Sequence, residues 1–293
     1  MTTPTTTPSA DIRSPLTGVN VLLMGPAGTG KTYSIGRLVE MGLKVRYLAL
    51  EPGLESLLGY FTDKGKPVPD NLAWHHVEGK KASFAELREN ARKVNTMSFD
   101  ALSKLSDPNR SKYDALDKIF AALNGFIDQR TGKNLGCADE WGTDCVLVMD
   151  GMAGLARAAM ENVIGGKPVP NQAEWGLAQK NIEGMIHMIT NQVRSHFVML
   201  AHVERETDQV LGGTKIMLSS LGKALGPKLP PMFSDVILAA RNNDKFTWDT
   251  GSSMADVKSR NLPINTSLPA DFGAIINKWT SRGGLLENTP VPE

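Results

Sequence analysis

Cysteine is nearly missing from this chain. Cys137 and Cys145 are the only two in 293 residues. They form no CxxC and have no nearby histidine pair, so neither a zinc site nor a disulfide framework is expected, and both read as reduced core thiols. An excess of one charge is also missing: 32 basic against 31 acidic residues leave a formal net charge of +1. No global field draws such a protein to nucleic acid or to a membrane, and any nucleic-acid site has to be a local patch. No apolar run approaches the roughly 20 residues that span a bilayer. The opening Met1-Thr-Thr-Pro-Thr-Thr-Thr-Pro-Ser9 has neither the basic start nor the apolar middle of a signal peptide. It reads as a disordered leader over residues 1–16 of a cytoplasmic protein.

What is present begins with composition: 41% hydrophobic residues, enough for one large α/β domain or two small ones. Residues 25–32 read Gly25-Pro26-Ala27-Gly28-Thr29-Gly30-Lys31-Thr32, a complete P-loop. The apolar run Val19–Met24 precedes it and a helical stretch, Thr32–Glu40, follows. Strand, glycine loop and helix in this order are the context that gives the motif meaning. Successive backbone N–H groups point into one concavity and hold nucleotide phosphates. Gly25, Gly28 and Gly30 are expected to let the backbone approach the phosphate. Lys31 is expected at the β/γ oxygens and the Thr32 hydroxyl on Mg²⁺.

Further strands are expected at Val45–Leu50, Ala73–Val77, Cys145–Met149, His196–Ala201, Asp235–Ala240 and Phe246–Asp249, with helices at Ala153–Val163, Ala173–Arg194 and Phe272–Trp279. Strands alternating with helices argue for a mostly parallel sheet with ligands at the carboxyl ends of its strands. Residues 83–135, broken near Asp107-Pro108-Asn109, read as a charged helical insertion outside the core. Residues 203–232 are polar and glycine-rich, the type of long segment that is functional or disordered.

Gly25, Glu51, Asp150 and His202 stand at the carboxyl ends of four apolar runs and are expected to line one crevice. Asp150 has the setting of a Walker B acid holding a Mg²⁺ shell through water, or else caps the following helix. Glu51, expected on the strand beside the P-loop strand, suits the group that orients or deprotonates an attacking water; the alternative is a surface residue at a Pro-Gly turn. His202 is either a γ-phosphate sensor or a structural histidine. Lys258 and Arg260 follow a possible strand, Ser253–Val257, whose alternation would aim both cations to one side, toward a polyphosphate; a solvated charged turn is the alternative.

These residues together resemble the RecA-like core of recombination ATPases. The likeness runs in order over about residues 17–280, through the P-loop, the strand ending in Glu51, Val-Leu-Val-Met-Asp150, the Glu174-Trp-Gly-Leu-Ala-Gln-Lys180 helix and Val-Met-Leu-Ala-His202. Gly226-Pro-Lys-Leu-Pro230 and Lys258-Ser-Arg260 resemble short phage-encoded members associated with single-strand annealing and recombination. The resemblance implies an α/β fold: a RecA-like P-loop NTPase core over residues 17–282, its mostly parallel twisted sheet flanked by helices, with the 83–135 insertion and a flexible tail over 283–293. It implies ATP and Mg²⁺ as cofactors, with Lys31, Thr32, Asp150 and His202 at the nucleotide, Glu51 activating water, and Lys258 and Arg260 acting in trans within a ring or filament of identical subunits. Residues 160–173 and 203–230 would correspond to DNA loops, the second bringing Arg205, Lys215, Lys223 and Lys228 to single-stranded DNA. A single-strand-binding or recombination protein is an implied partner, and the compartment would be a host cytoplasm. Three alternatives stay open: a helicase loader or packaging motor acting on protein or duplex DNA, a small-molecule kinase, and a scaffold that binds nucleotide without hydrolysing it.

Overall fold

The computed structural model describes residues 16–79, 83–106, 110–207 and 212–289. The leader up to residue 15, the break at Asp107-Pro108-Asn109, part of the 203–230 segment and the last four residues lie outside them.

The elements follow the apolar runs. Strand β1 (Asn20–Met24) leads through the P-loop into helices α1 (Lys31–Ser34) and α2 (Gly36–Glu40). Strand β2 (Lys44–Ala49), helix α3 (Leu54–Thr62) and strand β3 (Leu72–His76) come next. Helices α4 (Phe84–Thr96), α5 (Phe99–Ser103) and α6 (Ala115–Asn124) precede strand β4 (Cys145–Asp150). Helices α7 (Met152–Ile164) and α8 (Gln172–Gln192) lead to strands β5 (His196–Ala201), β6 (Val203–Thr207) and β7 (Thr214–Leu218). Strands β8 (Asp235–Asn242), β9 (Lys245–Asp249) and β10 (Leu268–Pro269) and helix α9 (Phe272–Ser281) close the fold. Capping boxes start α4 and α8: Ser83 with Glu86, and Asn171 with Glu174, each satisfy two otherwise orphaned backbone donors.

Eight strands form one sheet in the order β10-β9-β8-β1-β5-β4-β2-β3. From β8 to β3 all pairings are parallel, and only the β8–β9 and β9–β10 pairings are antiparallel, so β9 alone runs against the other strands of this sheet. Side chains of a strand alternate between faces, and β1 does so here. Val21 and Leu23 pack with α2, α3 and α9, whereas Leu22 and Met24 pack with α6, α7 and α8. Covering both faces is why β1, β4 and β5 read as continuous apolar runs rather than alternating ones.

Several expectations change. Glu51 does not follow a strand beside the P-loop strand: β1 is flanked by β5 and β8, and β2 lies beyond β5 and β4. Periodicity reports which face is buried, not which strand is the neighbour. The 83–135 stretch is not wholly outside the core. No residue of α4 is buried, but Ala115, Leu116 and Ile119 of α6, with Phe126, are core residues. The 203–230 segment opens as a hairpin, β6 paired antiparallel with β7, rather than as an irregular loop. Residues 253–257 form no strand; only isolated bridges occur there, at Ala255 and Lys258. The described part of the expected flexible tail is tied down: Thr143 donates to the Leu285 carbonyl over 2.5 Å, and the Thr289 amide donates to Asp144 over 2.8 Å.

Of the two cysteines, Cys145 is buried and burial pushes its thiol up to about 12, whereas Cys137 is only partly buried. None of the described helices is long and apolar enough to cross a membrane.

Candidate active site

Because β1, β5, β4 and β2 are parallel, Gly25, His202, Asp150 and Glu51 come to the same edge of the sheet. The P-loop there is held by its own side chains. The buried Lys31 Nζ donates to the carbonyls of Gly25 over 2.9 Å and Pro26 over 2.8 Å. Thr29 Oγ1 donates to the Pro26 carbonyl over 2.9 Å. Burial holds the Lys31 ammonium below its ordinary value, against the pull of the Asp150 and Glu51 carboxylates.

The glycines answer to different constraints. Gly30 sits at φ +74°, the left-handed region that glycine adopts without penalty, and a Cβ there would strike the Phe246 ring at 2.6 Å. At Gly25 a Cβ would lie 2.5 Å from the Ala239 carbonyl of neighbouring β8, so strand packing also requires glycine there.

Asp150 is buried at the end of β4. Its Oδ2 accepts from Thr32 Oγ1 over 2.8 Å and from the Tyr47 hydroxyl over 2.5 Å. It does not cap α7, whose N-cap is Gly151 and carries no side-chain cap bond. A hydroxyl and a carboxylate in contact at a P-loop are hard oxygen donors, so the residues present fit a Mg²⁺ ion and its water shell. Burial, with the Asp150 charge second, pushes the Tyr47 phenol far above its ordinary value, so it stays a donor.

Glu51 reaches this edge although its strand is distant from β1, because its backbone N–H is tied to the Asp150 carbonyl over 3.0 Å. Its Oε2 lies over Gly151, where a Cβ would come within 2.5 Å of it, and 4.0 Å from His202 Nε2. Glu51 is thus not a free surface carboxylate, and the half-exposed His202 is not a buried structural histidine. The His202 carbonyl accepts from the Ser219 amide over 2.9 Å, which ties this residue to the base of the β6–β7 hairpin.

Lys258 and Arg260 belong to a different edge. The Lys258 backbone bridges Val236 and the Arg260 amide donates to Asp235 Oδ1 over 2.9 Å, both at the amino end of β8 and away from the P-loop of the same chain. The Asp235 carboxylate, fully buried, also accepts from Ser234, Ser259 and both nitrogens of Asn261. That turn, not strand alternation, places the two cations. Lys258 is held below its ordinary value by burial and then by Arg260, so the two positive charges feel each other.

The four cations expected at nucleic acid are scattered and mostly paired. Lys223 meets Glu206 at 2.6 Å, Lys228 meets Glu183 at 3.2 Å and Lys215 faces Asp256 at 3.6 Å. Arg205 is exposed on β6.

The sequence reading missed a cleft of about 690 Å³ beside the P-loop, lined by Tyr33, Tyr60, Lys245, Phe246, Ser267 and Asp271 among others. Tyr33 and Phe246 stand 6.1 Å apart there. The one signal in the sequence was an aromatic residue directly after the P-loop threonine.

The family described as "AAA domain" matches residues 17–262, and the chain belongs to it: this is a nucleotide-binding P-loop ATPase domain. No curated protein matches the chain. Among solved structures, the RadB recombinase is 15% identical, with 85% of each chain covered and a TM-score of 0.39. The flagellar accessory protein FlaH from Methanocaldococcus jannaschii is 9% identical, covering 86% of this chain and 83% of its own, with a TM-score of 0.35. Likenesses this distant say nothing of function.

Proposed function

We propose that this AAA-domain protein is a Mg²⁺-dependent ATPase, active as an oligomer, that binds single-stranded DNA in phage-type recombination, annealing or replication. The observation that carries hydrolysis, rather than binding alone, is the placement of Glu51. Its carboxylate lies over Gly151, next to Asp150 and His202, at the edge where the P-loop opens. From there it can orient a water or take its proton as phosphoryl transfer proceeds. Lys31 binds the β/γ oxygens, and Thr32 and Asp150 hold the metal, which when bound offsets the charge that builds on the transferred phosphoryl group. The cleft between Tyr33 and Phe246 takes the nucleobase, whose flat face stacks on an aromatic ring. Lys258 and Arg260, remote from their own P-loop, serve the nucleotide of a neighbouring subunit. His202 passes the nucleotide state to the hairpin through its carbonyl bond with Ser219.

A second reading is favoured by the ion pairs. With three of the four candidate DNA cations already facing carboxylates, and with Phe84, Leu87 and Val94 exposed along α4, a motor acting on a protein partner fits the surface. Steady-state ATP hydrolysis with single-stranded DNA, duplex DNA or RNA, at two salt concentrations, separates the two. Strong, salt-sensitive stimulation by single strands supports the first. Indifference to all three nucleic acids supports the second. No hydrolysis under any condition, with ATP bound, leaves a nucleotide-gated scaffold.

A further inference from the structure

We propose that Tyr47 is a positioning residue for the metal-binding carboxylate: its hydroxyl locks Asp150 in the orientation that serves the Mg²⁺ shell. The proposal rests on reading the Thr32–Asp150 pair as the metal site.

Tyr47 lies in the middle of β2, in register with Val148 of β4, two residues before Asp150. Its ring is wholly buried among the apolar residues packed with α2 and α3. A tyrosine in such a place needs a partner for its hydroxyl, and the partner here is a charged one. The phenol donates to Asp150 Oδ2 over 2.5 Å, and Thr32 Oγ1 donates to the same oxygen over 2.8 Å. Gly53 closes the third side: a Cβ on it would lie 2.9 Å from Oδ2 and 3.2 Å from the Tyr47 hydroxyl.

The consequence is geometric. Two donors converge on Oδ2, from the P-loop helix and from a strand, and the backbone of residue 53 leaves no room for a third. The carboxylate therefore cannot rotate about its Cβ–Cγ bond without breaking both hydrogen bonds. The other oxygen, Oδ1, has no hydrogen-bond partner among the described residues and is left to accept from metal-bound water. The Thr32 hydroxyl spends its hydrogen on Asp150 and keeps its lone pairs for the ion. Groups that orient a metal ligand in this way tune affinity by about 10–100-fold. Tyr47 would do so without touching the metal or the nucleotide.

The test uses the full chain and a fluorescent ATP analogue, titrated in EDTA and then at rising Mg²⁺. With Tyr47→Phe, the Mg²⁺ concentration giving half of the metal-dependent gain in affinity is expected to rise about 10-fold, while affinity in EDTA stays within a factor of about 2 of wild type. A tyrosine with only a packing role would lower the melting temperature and leave that Mg²⁺ midpoint alone. An unchanged midpoint in folded Tyr47→Phe overturns the proposal. Thr32→Ala and Asp150→Asn are run beside it. If they move the midpoint and Tyr47→Phe does not, only the role of Tyr47 fails. If none of the three moves it, the metal-site reading fails as well. Should Tyr47→Phe not fold, Gly53→Ala decides, because it presses on the same two oxygens at a position whose φ of −176° any residue adopts. A raised midpoint there supports the proposal and an unchanged one overturns it.

Discussion

Thr32 and Asp150 stand 118 residues apart in the chain, and their side chains meet over 2.8 Å. One closes the P-loop and the other ends β4, two strands away from β1. That contact joins the P-loop to the carboxyl end of β4.

Lys31→Ala is expected to weaken nucleotide binding by at least about 100-fold, because the buried ammonium is the only side-chain cation within the P-loop and charge-assisted contacts to phosphate are the strong ones. Equilibrium titration with a fluorescent ATP analogue checks it. The melting temperature should not fall, since the same substitution removes a desolvated charge. Normal affinity would remove the basis for the nucleotide site.

Gly36→Ala is expected to destabilise the fold by about 1–3 kcal/mol, the usual cost of overpacking. A Cβ there would lie 2.3 Å from the Tyr60 ring. The ring cannot swing away cheaply, because its hydroxyl donates to Glu40 over 2.6 Å. Urea denaturation monitored by tryptophan fluorescence gives the difference.

Glu40 makes a pH prediction. Its hydrogen bond from Tyr60, and next that from Lys66, hold the carboxyl at about 2, below its ordinary 4.5. A lowered folded value means a stabilisation that is complete above about pH 4.5 and is lost as pH falls toward about 2. Thermal melts of wild type and Glu40→Gln should differ most above that range and converge at its acid end. Lys64 and Lys66 are both exposed, so added salt should narrow the gap. A gap that persists unchanged to pH 2.5 would mean the charge is not its source.

Arg260→Ala is expected to leave ATP binding intact and to lower turnover by about 100-fold or more, the range seen when a cation on the transferring phosphoryl group is removed. Mixing it with Glu51→Gln should restore activity. In a mixed assembly some sites then combine an intact Glu51 with an intact Arg260 from the neighbour. Absence of rescue in assemblies proven to be mixed would mean that Arg260 does not act between subunits.

The sequence by itself determined the local parts. The run from Val19 through Thr32 specified strand, loop and helix, because glycine tolerance of left-handed backbone and the apolar approach are short-range properties. The apolar strands ending near Glu51, Asp150 and His202 were legible for the same reason: strands buried on both faces carry continuous hydrophobic runs. What only the tertiary structure decided was adjacency. Strand order moved β2 away from β1, yet the tie from Glu51 to the Asp150 carbonyl returned that carboxylate to the site. The buried Asp235, not a strand, set Lys258 and Arg260 in place. Carboxylates distant in sequence, such as Glu183 opposite Lys228, claimed cations that looked free in a linear reading. Within the Val45–Leu50 run, nothing in the spacing of residues could place the Tyr47 hydroxyl on Asp150. Hydrophobic periodicity encodes which face of an element is buried; which charges and hydroxyls meet depends on how whole elements stack, and that is a property of the assembled chain.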